Sequence, residues 1–385
     1  MSSMFRRRGL ITSSLLIAAA LAAGCGSDDD ESASSAKPAA ASAAQGADEG
    51  FTRALAVYET YKKEPAPLEF PPLGSKPEAG KSVAVLSCPI PACKLTTENV
   101  AMAAQQLGWK PKVFVSQFSP ESYQKTWDQM LQSDPDFIAA VGLLPSAAVE
   151  KQLAEAEEKD IKVVMISPNG DAPGAYGVDA QINGKPLFAK GGEIAANLVI
   201  ADAKGKPAKV AMVSDPNQGQ LQQALDPLAA ELKKNCGECS AEAVDINLAN
   251  PPAQNAQAVV SFLQRNPDVS YVFYTVADAA LGVPDALASA GLADKVKIIT
   301  LTPNLSSLEN IKKGSEFATI QDEVITGGWR AVDALARLSI GEGLGPQDNP
   351  TGEFRIIDKS NVEPGKVPDS CCIPDSFTEA WGIGA

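Results

Sequence analysis

From Lys81 onward, short apolar runs alternate with amphipathic stretches, and this alternation constrains the fold more than any other feature of the chain. Residues 82–87 (SVAVLS) read as a strand and 96–107 as a helix. Residues 112–118 (KVFVSQF) form a second strand, followed by a helix over 121–132. A strand over 136–143, a helix over 146–159 and a strand over 162–167 (KVVMIS) close a first series. A second series starts after Gly184. It reads helix 187–203, strand 209–214, helix 218–234, strand 243–248, helix 254–265, strand 270–276, helix 278–290 and strands 296–301 and 317–321. Apolar strands set between amphipathic helices belong to parallel sheets covered on both faces. Two similar series predict an α/β chain of two doubly wound parallel-sheet lobes. Ligands of such sheets bind outside the carboxyl ends of the strands. The residues just after each strand are therefore the functional candidates.

The segment before Lys81 has a different character. Arg6, Arg7 and Arg8 precede an apolar run over residues 10–23. That run is too short to span a ~30 Å hydrocarbon core, but it suits the core of a signal peptide. It ends in Leu21-Ala22-Ala23-Gly24-Cys25. This ending resembles the lipobox of bacterial lipoproteins, in which small residues precede a cysteine whose thiol takes a diacylglyceryl group. The resemblance implies removal of residues 1–24, lipidation of Cys25 and stable anchoring through several acyl chains. It places the mature chain outside the cytoplasm. Residues 25–80 read as a tether. Positions 26–50, rich in Ser, Ala and Asp, are expected to be flexible. Residues 51–63 form a short helix with Phe51, Leu55, Tyr58 and Tyr61 near one face. Pro65, Pro67, Pro71, Pro72 and Pro77 then enforce extended backbone, and the folded part is expected to begin near Lys81.

Residue counts exclude whole classes of chemistry. The chain has 385 residues, enough for two domains, and no histidine. Without imidazole there is no Ser-His-Asp or Cys-His nucleophile pair and no His-ligated metal. The formal charge is −14, and loss of the three arginines in residues 1–24 would leave −17. Nucleic-acid binding needs the opposite sign. No GxSxG elbow is present, and no GxGxxG follows a strand. Gly80-Lys81-Ser82 mimics the tail of a phosphate loop, but Ser75 stands where glycine is required and the segment precedes its strand. Asp322 and Glu323 are adjacent carboxylates, yet a glycosidase pair needs facing groups ~5–10 Å apart. The chain reads as a binding protein rather than an enzyme, with no cofactor and no metal.

A family resemblance rests on residues 118–124 (FSPESYQ), 127–131 (WDQML), 136–138 (DFI) and Leu144-Pro145. Their order is similar to the D-x-x-Q … I-x-x-L-I … D-x-I-I … P pattern of type I periplasmic binding proteins of the ribose-binding class. Residues 318–322 (ATIQD), with a following helix that contains Gly327-Gly328, resemble that family's return from the second lobe. Residues 356–362 (IIDKSNV) resemble its final strand and turn. The resemblance covers residues 81–367. It implies an N-terminal lobe of 81–182 plus 323–352 and a C-terminal lobe of 183–322 plus 353–385. The three crossings of the hinge fall near 180–184, 321–324 and 352–354. The implied job is to close on a small solute by hinge motion and deliver it to the permease of an ABC transporter. Such a protein is expected to be a monomer held to the membrane by its lipid. The alternative is a sensing module that docks to a membrane signalling protein.

The sugar-specific residues of that family are where this chain departs. The loop that carries Asn-Pro-Phe-Phe in ribose-type members reads Ile90-Pro91-Ala92-Cys93 here, without either ring. Ser167-Pro168 replaces the Asp-Arg expected after the fourth strand. No arginine lies between Pro207 and Asn235, and the Asn expected beyond Phe273 falls at Val276. Outside residues 1–24, arginine occurs only at positions 53, 265, 330, 337 and 355. A bidentate clamp on carboxylate or phosphate is therefore not expected. The candidates that remain are Ser87, Ile90, Gln117, Ser167, Asn169, Asn217, Gln218, Tyr274, Thr275, Thr302, Asn304, Gln321 and Asp322. Their hydroxyl and amide groups suit a neutral or weakly polar ligand, sugar-like or more apolar, held against apolar walls. Trp127 and Trp329 read as helix packing.

Besides Cys25 there are six cysteines, and outside the membrane disulfides persist. Six allow fifteen connectivities. Spacing favours Cys88–Cys93, Cys236–Cys239 and Cys371–Cys372. The first staples the loop after strand one, either shaping the cleft mouth or merely bracing the loop. Cys236 and Cys239 have redox-like spacing, but no second CxxC accompanies them, and they read as a brace. Cys371 and Cys372 form a vicinal bridge or pair elsewhere.

Overall fold

The computed structural model describes residues 37–345, 352–368 and 372–383. The expected signal peptide over residues 1–24, Cys25 with its expected lipid, and Cys371 lie outside them. The chain begins with α1 (Lys37–Tyr61), then builds β1 (Ser82–Ser87), α2 (Pro91–Gln106), β2 (Lys110–Val115), α3 (Pro120–Gln132), β3 (Phe137–Val141), α4 (Glu150–Glu158), β4 (Lys162–Ile166) and β5 (Ala180–Ile182). These strands form one parallel sheet in the order β2-β1-β3-β4-β5. Alternate residues serve opposite faces, as strand geometry requires. Val83 and Val85 face a core with α2, whereas Ala84 and Leu86 face a core with α3 and α4. Pro111 is tolerated in β2 because β2 is an edge strand.

The second lobe follows as α5 (Lys185–Asp202), β6 (Lys209–Ser214), α6 (Gly219–Gln222), α7 (Leu225–Asn235), β7 (Ser240–Asp245), α8 (Pro252–Arg265), β8 (Tyr271–Tyr274), α9 (Val283–Ser289), β9 (Lys297–Leu301), α10 (Leu305–Lys313) and β10 (Ala318–Gln321). Next come α11 (Thr326–Ser339), β11 (Arg355–Asp358) and α12 (Asp375–Ala380). The second sheet runs β11-β10-β9-β8-β6-β7, with β11 antiparallel. The helix expected over 218–234 is broken between α6 and α7. Pro227 cannot donate, and its ring clashes with the carbonyl four residues back, at Gln223. The helix expected over 278–290 breaks likewise before Pro284, where Gly282 takes a positive φ of 78°. β7 begins three residues before the expected 243. As an edge strand it needs no unbroken apolar run, and Ser240 pairs with Lys209.

α11 returns to the first lobe. A Cβ on Gly328 would sit 2.6 Å from the carbonyl oxygen of Thr96, so only glycine lets α11 press this closely on α2. The chain ends correct the sequence reading. α12 was assigned with residues 353–385 to the C-terminal lobe, yet its Phe377 and the adjacent Trp381 are buried in the N-terminal lobe against Trp329. The Trp381 indole donates to Asp333, which also holds Arg337. Between Ala54 and Lys81 the described residues pack on the fold rather than forming a loose tether. Ala54 of α1 is buried in the C-terminal core, and Tyr58 and Lys62 both bond Asp358. Further on, Phe70 packs on Phe377 with ring centroids 4.3 Å apart, and Arg337 donates to the carbonyl of Pro71. Phe70, beside Pro71, thus finds an apolar seat that composition does not reveal.

Cys88 is bridged to Cys93 and Cys236 to Cys239, with Cα separations of 5.4 and 5.3 Å. Cys372 is disulfide-bonded. No helix among the described residues is long and apolar enough to cross a membrane.

Candidate functional site

The carboxyl ends of both sheets face each other across a cavity of about 80 Å³, counted as the volume open to the centre of a water molecule. At about 10–15 Å³ per water, this holds a small solute or a few waters. The N-terminal lobe contributes Ile90, Phe118, Val141, Leu143, Ile166 and Ser167. The C-terminal lobe contributes Leu187 and Phe188 of α5, Gln218, Gln220 and Leu221 after β6, Leu248 after β7, Val276 after β8 and Thr302 after β9. Asn183 and Asp322 lie at the crossings between lobes.

Three of the eight described non-glycine residues with positive φ lie here. Ser167, Asn183 and Thr302 line the cavity, and their φ values are 51°, 55° and 55°. A left-handed conformation costs a non-glycine residue about 1–3 kcal/mol and persists where surrounding structure enforces it. Ser167 and Thr302 occupy matching places, each directly after the fourth strand of its lobe.

Among the described residues lining the cavity, Asp322 is the one ionisable side chain. It is 6% exposed. Thr302 Oγ1 donates to its Oδ2 at 2.5 Å, and its Oδ1 has no partner. Burial, aided by the neighbouring Glu323 charge, pushes its carboxyl up to about 7, against the Thr302 hydrogen bond. Asn183 Nδ2 donates to the Glu323 carbonyl at 3.2 Å, which fixes the amide and leaves Oδ1 unpartnered. Gln220 Nε2 donates to Gln218, and its Oε1 is also unpartnered. Above about pH 7 the cavity thus offers three buried acceptors; below it Asp322 Oδ1 takes up the proton and becomes a donor. No lysine or arginine is among the described lining residues. Arg330 is held by Glu323 at 2.7 Å and Arg337 by Asp333 at 2.9 Å.

Hydrogen bonds join the lobes around the cavity. The Ala92 N–H, in the first turn of α2, donates to Asp278 Oδ2 at 2.9 Å, while Asn304 Nδ2 donates to Asp278 Oδ1 at 2.7 Å. Burial raises the Asp278 carboxyl, and both donors work against that. Asn169 Nδ2 donates to the Asn217 carbonyl at 3.2 Å, and the Gly219 N–H donates to Asn169 Oδ1 at 2.6 Å.

Of the sequence candidates, Ile90, Ser167, Gln218, Thr302 and Asp322 line the cavity. Asn169, Asn217 and Asn304 belong to the contacts around it. Ser87 is turned to Thr97, 2.9 Å away, and Thr275 to Ser214. Tyr274 is buried in the C-terminal core, where burial raises its hydroxyl. Gln321 is buried with Oε1 unpartnered but is not among the lining residues. Gln117 is exposed in an outer pocket. Sequence reasoning missed Asn183, Gln220 and the rings of Phe118 and Phe188. Two rings, from Phe118 and Phe188, thus line the cavity although residues 90–93 carry none.

The profile described as periplasmic binding protein domain matches residues 89–343. The chain belongs to the periplasmic binding protein family. Solved structures agree on the type I fold. The glucose-galactose binding protein of Geobacillus stearothermophilus superposes with a TM-score of 0.63 at 19% identity, over 74% of this chain and 99% of its own. An ABC transporter solute-binding protein of Agrobacterium vitis, bound to α-D-tagatopyranose, gives 0.63 at 20%, over 73% and 96%. One from Burkholderia graminis, in complex with D-arabinose, gives 0.64 at 18%, over 75% and 99%. No curated protein matches the sequence. The periplasmic binding protein shares the relatives' two-lobe frame.

Proposed function

We propose that this periplasmic binding protein captures a small, uncharged, hydroxyl-bearing solute between its lobes and delivers it to the permease of an ABC transporter. One observation carries the reading: Asp322, Asn183 and Gln220 present buried acceptors without donors, inside apolar walls. A buried acceptor left unpaired costs about 1–3 kcal/mol, so a ligand rich in donors is favoured and an anion is rejected. Hydroxyls supply such donors, and the related structures from Agrobacterium vitis and Burkholderia graminis hold sugars. In the same proposal, lipid on Cys25 keeps a monomeric receptor at the outer surface of the cell membrane. The purified protein is tested by thermal unfolding against a broad solute library. Stabilisation by polyols or sugars, and by no carboxylates or phosphates, is expected. Stabilisation by anions alone, or by nothing, overturns the reading.

A further inference from the structure

The inner cavity does not end at its wall. Ile90, Phe118 and Leu248 line it, and the same three residues line a second, outer pocket of about 440 Å³ on the same measure. All three are half-buried, as side chains between two spaces must be. Ile90 sits in the loop bridged by Cys88 and Cys93, and Phe118 follows β2. Leu248, from the other lobe, follows β7. The outer pocket continues between the lobes along Pro89, Pro91, Pro252, Ala279 and Leu281. Gln117, Ser119, Asn250, Asn255 and Asp278 also line the outer pocket, and the two spaces differ in their unpartnered polar atoms. The unpartnered acceptors Asp322 Oδ1, Asn183 Oδ1 and Gln220 Oε1 belong to the inner one. The partition between the spaces is apolar.

We propose that the two pockets form one site for an amphiphilic solute. Its hydroxyl-bearing head sits in the inner cavity, and an alkyl or other apolar tail passes between Ile90, Phe118 and Leu248 into the outer pocket. This rests on the solute-binding reading and specifies its substrate class. An inner cavity of about 80 Å³ suits a head the size of a triol. The outer pocket has room for a tail of several carbons. Burial of each methylene against apolar side chains strengthens binding about fourfold.

The probes are glycerol and its 1-O-ethyl, 1-O-butyl and 1-O-hexyl ethers, titrated calorimetrically into the purified protein. Affinity is expected to climb with chain length, reaching at least 100-fold between ethyl and hexyl. Ala249→Trp, at an exposed position lining the outer pocket, is expected to reduce hexyl-ether affinity at least tenfold. Ethers that bind no better than glycerol, or fail to bind a protein that library solutes do stabilise, overturn the two-chamber site alone. A protein stabilised by no solute of the library overturns the reading beneath it as well.

Discussion

The turns after the fourth strand of each lobe share a sequence pattern, Ser167-Pro168-Asn169 in one and Thr302-Pro303-Asn304 in the other. Both open on a left-handed residue that lines the cavity. They reach across the cleft by different means. Asn169 crosses it directly, bonding the backbone at Asn217 and Gly219 with a neutral amide. Asn304 stays in its own lobe, caps α10 through the Ser307 N–H and orients Asp278, whose other oxygen meets Ala92. Thr302 also bonds Asp322, a carboxylate with no counterpart beside Ser167. A shared backbone device is therefore neutral on one side and acidic on the other. In the proposed site, ligand polarity and pH sensitivity both fall to the acidic side.

The largest effect that separates the two turns is on stability. The Asp322 carboxyl rises from 3.8 to about 7 on folding. The stability it contributes is full below about pH 4 and is lost as pH rises through 7, on the order of 4 kcal/mol. Urea unfolding at pH 4 and pH 8 is expected to show wild type losing that much relative to Asp322→Asn. Asn169→Ala, on the neutral side, keeps a constant difference from wild type. A pH-independent Asp322→Asn difference removes the distinction between the turns.

Binding comes next. Asp322→Ala deletes the unpartnered acceptor and is expected to weaken a hydroxylated ligand on the order of 100-fold. Calorimetry measures it, and a loss below threefold contradicts the placement of the head group. Smaller again are the contacts between the lobes. Asp278→Ala removes a charge-assisted bond at the start of α2 and is expected to lower affinity about tenfold. Asn169→Ala lowers it about fivefold. The reverse order makes the neutral contact the stronger.

The frame of this periplasmic binding protein was legible because its strands are buried on both faces. β1 and β6 fall where apolar runs place them, at Ser82–Ser87 and Lys209–Ser214. Elements that lean on tertiary contact were not legible. α12 is six residues long and is stabilised by Trp329 and Phe70, far away in sequence. α10 did carry local signals, an Asn304 cap and Gly314 in left-handed conformation, that the apolar pattern alone overlooked. The site divides similarly. Residues directly after strands, such as Ser167, Thr302 and Asp322, were found by the carboxyl-end rule. Thr275 satisfies that rule and still turns inward to Ser214, since one residue along a strand reverses the face; Ser87, the last residue of β1, is held by Thr97 of α2. Phe118, Phe188 and Leu248 were not among the candidates, because an apolar wall and an apolar core have the same composition.

The most direct test is mass spectrometry of small molecules released by denaturing the protein purified from its native cell. An uncharged solute rich in hydroxyls is the predicted result. A carboxylate- or phosphate-bearing solute would contradict the account, because the cavity presents unpartnered acceptors and no cation among its described residues.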